Sequence, residues 1–426
     1  MIAIRAQYIF AFAVMGCLLP YLSVYLEKQQ GLGRDQIGLI NATAGLAIIF
    51  TPVMVAALAD TRADARRLMM GIFILSAAAT TLAANVDGFV WLFVAMGLHS
   101  LVFAPVLSLE DAIHFGYQER RRTAGRAVVP YHRVRVWGTV GFIVPSAVLY
   151  VVMNPDFGLG LSTQAALYAA AMFALAGAVN TRLLPDPKLR QRPELKRKGG
   201  AQGLPTVRAL RAMLDPPVLV FCLAMFLLQL AVACYYGFFP IFLSELGVAD
   251  QWLGPITSIG VVLEIGYMLA FGLLVRKLGL KWLMVLGVAA VALRSVALAA
   301  APLVAVAVAT QLVHGLTVIV SHVAPQVFIN SRAGPGFRGS MQGLYTMLVM
   351  GLGRAVGAPI AGLFAGEDLA DLRRMFLFAA ALCIVSALLF IFAFHEHRPP
   401  EPVEPTTPEP ESNNEHRQRA MTAADT

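Results

Sequence analysis

The chain has 426 residues, 58% of them apolar and 14% charged, and 33 Lys and Arg against 25 Asp and Glu give a formal charge of +8. Soluble domains are about 45–50% apolar and about 25% charged, so these proportions exclude a soluble multidomain enzyme, a disordered chain and a secreted disulfide scaffold. An aqueous fold cannot hide this much apolar surface. At about 20 apolar residues per crossing helix, the length accommodates twelve crossings with loops to spare.

Twelve apolar runs follow one another at 8–27, 36–58, 68–86, 89–115, 134–153, 163–182, 217–243, 251–275, 281–300, 302–325, 340–363 and 374–394. Most are apolar on all sides, as lipid-embedded helices are, and none alternates with the period of two that a barrel strand needs. The first run carries Pro20 and has no small-residue cleavage site at its end, so it reads as a retained helix. Cys17, Cys222, Cys234 and Cys383 sit singly inside apolar runs, with no C-x-x-C pair; neither a metal site nor a redox motif is expected.

Charge sets the expected orientation. Twenty-seven of the 33 Lys and Arg fall at the chain ends and in alternate loops, and four (Lys28, Arg34, Arg373, Arg374) in the opposite loops. The basic side is cytoplasmic by the positive-inside rule, which places both termini inside an inner (plasma) membrane. Trp91, Trp137, Trp252 and Trp282 lie near run ends, as interface anchors do. The expected organisation is an N-terminal six-helix bundle over 1–182, a basic, Pro-rich flexible cytoplasmic linker over 183–215, a C-terminal six-helix bundle over 216–395 and a disordered Pro/Glu-rich cytoplasmic tail over 396–426.

The two halves echo each other. Pro20, Gly31-Leu32 and Gln36-Ile37-Gly38 in the first correspond to Pro240, Gly247-Val248 and Gln251-x-Leu253-Gly254 in the second, about 216 residues on. Ala56-x-x-x-Asp60 corresponds to Gly272-x-x-x-Arg276-Lys277. Internal duplication of a helical bundle is the mark of secondary transporters that rock one half against the other.

On these residues the chain resembles the major facilitator superfamily. The loop signature of that family, G-x-x-x-D-R-x-G-R-R, is degenerate here: Ala56 replaces the glycine, Thr61 follows Asp60, and Arg66 and Arg67 are displaced. Tyr131-x-Arg133-x-Arg135-x-Trp137-Gly138, and Gln311-x-x-His314-Gly315 followed by Arg338-Gly339-x-x-Gln342-Gly343, resemble its proton-coupled group of lactose permease, phenylpropionate permease and nucleoside symporters. The resemblance implies an all-α membrane protein of two pseudo-symmetric six-helix bundles. It also implies Asp60 and Lys277 as gating residues, Arg294 and His314 as a coupling and ligand pair, and Asp111 with Arg135 as a substrate-holding pair. In that group a carboxylate follows the helix 10 histidine by one turn; here the position is Thr317, so the coupling acid is either missing or relocated to Glu264 or Asp111.

Ionisable side chains in mid-membrane cost about 2.5–3.5 kcal/mol each on insertion scales and face cavities or partners. Glu264 stands among Val261, Val262, Leu263 and Ile265 with no polar neighbour. It is either a substrate- or proton-binding carboxylate or half of a structural ion pair with Arg294 or Arg354. Of the adjacent acids Glu110 and Asp111, which point about 100° apart on a helix, Asp111 is expected to face the cavity and Glu110 the cytoplasmic basic residues. Gln229 needs a partner in lipid, from substrate or another helix. Tyr25 and Tyr236 are candidate stacking residues.

The expected activity is secondary active transport of a small polar or aromatic solute by alternating access, as proton-coupled import. The partners are the solute, protons and the lipid bilayer; the chain is monomeric, with no nucleic acid, cofactor or metal. Export by proton antiport on the same fold is the alternative. A non-transporting sensor or a membrane-embedded enzyme is the alternative of another class, although no Walker or H-E-x-x-H motif is present.

Overall fold

A computed structural model describes residues 1–60, 64–129, 131–156, 158–185, 205–333 and 337–395. The described residues are helical, with no strand among them. Ten apolar stretches are long enough to cross a bilayer. The longest, Asp250–Ala300, is two helices joined at Gly279, whose φ of 75° breaks the helical path. Arg34–Asp60, 27 residues long, completes a set of twelve among the described residues.

In chain order the helices are α1 (Ile2–Lys28), α2 (Arg34–Asp60), α3 (Ala65–Asn85), α4 (Phe89–Thr123), α5 (Arg133–Met153), α6 (Gln164–Leu183), α7 (Pro216–Glu245), α8 (253–278), α9 (280–300), α10 (Val304–Arg332), α11 (Arg338–Ala365) and α12 (Leu369–Ala393). Pro20 and Pro105 lie at turns that interrupt α1 and α4, because proline removes a backbone donor and clashes with the preceding turn. Several helices outrun the apolar runs: α4 continues through Gln118-Glu119-Arg120 to Thr123, and α12 begins at Leu369. An apolar run reports what the hydrocarbon covers, whereas a helix continues into water for as long as its backbone bonds are made.

Bulky apolar side chains such as Met172, Leu269, Leu293 and Leu363 are exposed and form the surface that hydrocarbon covers. Inside, glycines let helices approach closely. Gly141 of α5 rests on the backbone of Ile9 in α1, and Gly16 of α1 on Phe142. Small residues at such crossings are how helices associate where lipid removes the hydrophobic driving force.

The internal echo is a repeat of conformation as well as of letters. Gly31 after α1 has φ 64° and Gly247 after α7 has φ 78°. Each follows its helix as a left-handed residue, and the next amide bonds back to the last turn (Leu32 N to Leu26 O, 3.0 Å; Val248 N to Leu243 O, 3.1 Å). This is the glycine C-cap, which a side chain would strain.

The two halves meet along α2 against α11 and α5 against α8. A Cβ at Gly45 would lie 2.3 Å from the Ala355 nitrogen, and one at Gly38 would lie 2.6 Å from the Ala358 oxygen. Beyond these crossings one end of the bundle is sealed. It carries the loops at 29–33, 246–249 and 366–368 and is called the loop end; the other is the terminus end. Arg34, 5% exposed, donates Nε to Glu27 (2.7 Å), one Nη to the carbonyls of Ala365 (3.2 Å) and Asp368 (3.0 Å), and the other Nη to Glu245. Lys28 pairs with Asp250 at 2.8 Å, and Ser258 donates to Ser146 at 2.8 Å. Side-chain hydrogen bonds of Lys28, Arg34 and Ser146 thus tie one half to the other. At the terminus end a groove opens between α10 and α11, lined by Gln326, Val327, Asn330, Ser331, Arg338 and Gln342.

The segment expected to be a flexible linker is partly ordered. Pro205–Met213 is a helix that buries Ala209 and Met213 and sets Arg208 over the Phe337 ring at 5.0 Å. Its Val-x-Ala-Leu-x-x-Met pattern supplies one apolar stripe. Residues 186–204 and 396–426 lie outside the described residues.

Candidate functional site

The mid-membrane ionisable residues gather mainly in two poles, one in each half. The N-terminal pole is built by α1, α4 and α5. Tyr8 and Tyr131 both donate their hydroxyls to Asp111 Oδ1, at 2.5 and 2.9 Å. Arg135, one turn after Tyr131, does not close the expected ion pair with Asp111; its guanidinium carbon lies 4.1 Å from the Phe12 ring centroid. Residues 131 and 135 share a helix face, and the tyrosine rather than the arginine reaches the acid. The expectation for Glu110 is also corrected. It is 2% exposed, neither of its carboxylate oxygens has a hydrogen-bond partner among the described residues, and it does not reach the basic loop.

Glu264 lies on α8, the helix that packs on α5 across the seam. Its backbone packs on Gly315 of α10, where a Cβ would lie 2.8 Å from the Glu264 Cα. It makes no ion pair with Arg294 or Arg354 among the described residues. Across the seam, α5 carries Arg135.

The C-terminal pole is built by α7, α9, α10 and α11. Arg294 of α9 lies over Tyr235 with its guanidinium carbon 3.7 Å from the ring centroid. It is 2% exposed, and none of its three side-chain nitrogens has a hydrogen-bond partner among the described residues. Tyr235 and Gln311 hydrogen-bond each other at 2.9–3.1 Å. Arg354 of α11 donates Nε to Gln229 Oε1 (3.4 Å) and Nη2 to His322 Nε2 (2.9 Å), and lies 6.0 Å from the Tyr236 ring centroid. His314 is edge-on to Tyr236 at 6.1 Å between centroids, with Nδ1 unpartnered among the described residues. Thr317 turns its hydroxyl back to the Val313 carbonyl at 3.3 Å.

Arg294, His314, Gln229 and Tyr236 are therefore brought together in the C-terminal half and Asp111 with two tyrosines in the N-terminal half, while Arg135 and Glu264 lie on the helices that meet at the seam. Gln229 is 0% exposed and spans from Arg354 to the Ser321 carbonyl, so its amide is satisfied by α10 and α11. Tyr25 joins neither group. Its hydroxyl donates to the Ala83 carbonyl (3.0 Å) and accepts from Gln30 (2.9 Å), which holds it against α3 inside the N-terminal half.

The side chain of Asp60 lies outside the described residues, while Lys277 is exposed at the terminus end. The acid that engages Arg66 of the displaced basic pair is Asp64. It caps α3 through the Arg66 amide (2.9 Å) and pairs with the Arg66 guanidinium (2.8 Å), and these bonds hold its carboxyl below the usual carboxylate range. Sequence reasoning missed Glu245 and Asp64, and counted Arg34 only as a loop charge. The available signals were an Arg in a loop class with only four basic residues, and an Asp one residue before a helix start.

Comparison with known proteins agrees with this architecture. The model of the MFS_1 like family matches residues 1–395. The chain belongs to that family. It is 25% identical over 415 residues to the putative nucleoside transporter YegT of Escherichia coli (strain K12), covering 90% of this chain and 91% of that one. It is 27% identical over 356 residues to a probable 3-phenylpropionic acid transporter of the same organism, covering 82% and 86%. The crystal structure of the nucleoside transporter NupG superposes with a TM-score of 0.79 at 22% identity, covering 93% of this chain and 99% of that one. The protein is a multi-pass membrane transporter of the major facilitator fold, not an enzyme.

Proposed function

We propose that the protein is a secondary active transporter that imports a small polar or aromatic solute with protons by alternating access. On this reading it sits as a monomer in the inner membrane with both termini cytoplasmic. The positive-inside distribution supports that orientation. The sealed loop end is then external, and the arrangement corresponds to an inward-facing state.

One observation carries the reading. Arg135 and Glu264 lie on α5 and α8, the helices that pack against each other across the seam, and neither Glu264 nor the buried Glu110 has an ion-pair partner among the described residues. A cation on one side of a seam that opens and closes comes nearer to a carboxylate on the other side in one state than in the other. Carboxylates whose cation moves away take up protons, so rocking and protonation become linked. Glu264, Asp111, Arg135, Arg294, His314 and Tyr236 are the proposed substrate and coupling residues. Lys277 and Asp60 are the proposed gating residues, and 183–215 the proposed connection between the halves.

Counterflow in proteoliposomes tests transport without needing an energy source. Vesicles preloaded with unlabelled solute are offered labelled uridine, 3-phenylpropionate or lactose. Exchange above empty vesicles for one class supports the reading, and no exchange for any class counts against it. An imposed pH gradient, inside alkaline, then drives accumulation if the solute enters with protons and depletion if it is exchanged against them.

A further inference from the structure

We propose that the C-terminal half holds a preformed anion subsite centred on Arg354, and that the solute carries a carboxylate that docks there. This rests on the transport reading above and narrows it to an anionic solute.

Two guanidiniums, Arg294 buried and Arg354 partly exposed, stand at this pole with no acid paired to them among the described residues. Arg354 bonds to an amide oxygen and to an imidazole. Arginine has donors only, so His322 Nε2 is the acceptor and the ring facing Arg354 is neutral at that nitrogen. Arg294 has no hydrogen-bond partner at any of its three nitrogens among the described residues and rests on the Tyr235 ring. Neither has a carboxylate within ion-pair distance among the described residues. Of the nearby acids, Asp111 accepts from two tyrosines, and neither Glu264 nor Glu110 reaches either guanidinium as an ion pair among the described residues.

An unpaired charge in a membrane interior is costly. Two of them on adjacent tyrosines are accounted for if an anion completes the site during the transport cycle. Exposure separates their roles. Arg354, His322 and Tyr236 are partly exposed, so Arg354 can reach a solute, and its planar fork suits a carboxylate. The Tyr236 ring beside it offers a face to the apolar body of an organic acid. Arg294 is sealed behind Tyr235 and acts through its field, holding that ring and adding positive potential. A neutral solute would leave both charges as they stand.

The test uses the purified full-length protein and matched pairs of ligands. Thermal-shift and calorimetric titrations compare acetate, benzoate and 3-phenylpropionate with their amides, and with uridine and chloride. A carboxylate is expected to bind about tenfold or more tighter than its amide, the scale of a charge-assisted hydrogen bond. Arg354→Gln is expected to bring acid and amide together. If that variant does not fold, the acid–amide comparison on the unaltered protein decides. Equal binding of acid and amide, binding of uridine or chloride with no carboxylate, an unchanged preference in Arg354→Gln, or no binding by any carboxylate of the panel overturns the subsite. Counterflow of uridine without carboxylate binding overturns the subsite and leaves the transport reading standing. Absence of counterflow for every solute overturns the transport reading itself.

Discussion

Arg34 of α2 and Glu245 of α7, 211 residues apart in sequence, form an ion pair that ties the two halves together at the loop end. The same guanidinium is bonded to Glu27 and to the carbonyls of Ala365 and Asp368, so one side chain joins four segments. The network can exist only while that end is closed. Arg34→Gln is therefore expected to shift the protein towards the state open at that end, with each 1.4 kcal/mol lost from the closed state changing the ratio about tenfold. A bis-maleimide bridge between cysteines replacing Lys28 and Asp250 reports closure. Its yield is predicted to fall several-fold in Arg34→Gln, and an unchanged yield refutes the lock.

The crossings of helices within a half and between halves respond differently to bulk. Gly141 touches Ile9 inside the N-terminal half, while Gly45 touches Ala355 across the seam. Overpacking a fixed contact costs about 1–3 kcal/mol, so Gly141→Leu is expected to lower the melting temperature. Gly45→Leu collides only in the closed arrangement, which the protein can leave. It should reduce the bridge yield between positions 28 and 250 with little change in melting temperature. Equal destabilisation by both would show that the seam does not open.

Arg294 and Glu264 are not partners in this arrangement, and their couplings should say so. A double-mutant cycle of Arg294→Ala with Glu264→Gln is expected to give an interaction within about 0.5 kcal/mol of zero in thermal stability, as independent sites do. The cycle of Arg135→Gln with Glu264→Gln should give a greater coupling energy. Rescue of Arg294→Ala by Glu264→Gln contradicts the geometry.

Asp64 makes a prediction with a defined sign in pH. Its hydrogen bonds from Arg66 depress its carboxyl in the folded protein. The cap's contribution is thus fully present above the unfolded aspartate value, about 3.9, and is lost as pH falls through the folded value. Asp64→Ala should cost about 1 kcal/mol at neutral pH, typical of an N-cap, and the gap from the unaltered protein should close as the pH falls below that of a free aspartate. A gap independent of pH assigns the loss to something other than the charged cap.

Tyr25 separates structure from transport. Its buried hydroxyl bonds to the Ala83 carbonyl, so Tyr25→Phe should lose about 1 kcal/mol of stability and keep solute affinity unchanged, as titration would show. A large loss of affinity with normal stability would place Tyr25 in the binding site after all.

The fold was legible because lipid leaves so few choices. A run of about 20 apolar residues has to be a helix, and the repeated Gly31 and Gly247 mark equivalent turns. Residues such as Glu264, Arg294 and Arg354 were legible for the same reason, since a charge amid valines and leucines stands out. Their partners were not. Asp111 has both Tyr131 and Arg135 within one turn of each other on the next helix, and only side-chain reach chooses between them. The turn at Pro105 breaks the helical register of α4, so the buried face of Glu110 could not be projected from the run before it. Arg34 was read as one of four charges in sparse loops, because contacts spanning 331 and 334 residues leave no local trace.

The most direct test of the central claim, that Glu264 links proton movement to solute movement across the seam, is solute accumulation in proteoliposomes under an imposed pH gradient. It compares the unaltered protein with Glu264→Gln at equal membrane content. The account predicts gradient-driven accumulation by the former, and in the variant counterflow without accumulation. Normal accumulation by Glu264→Gln would contradict it.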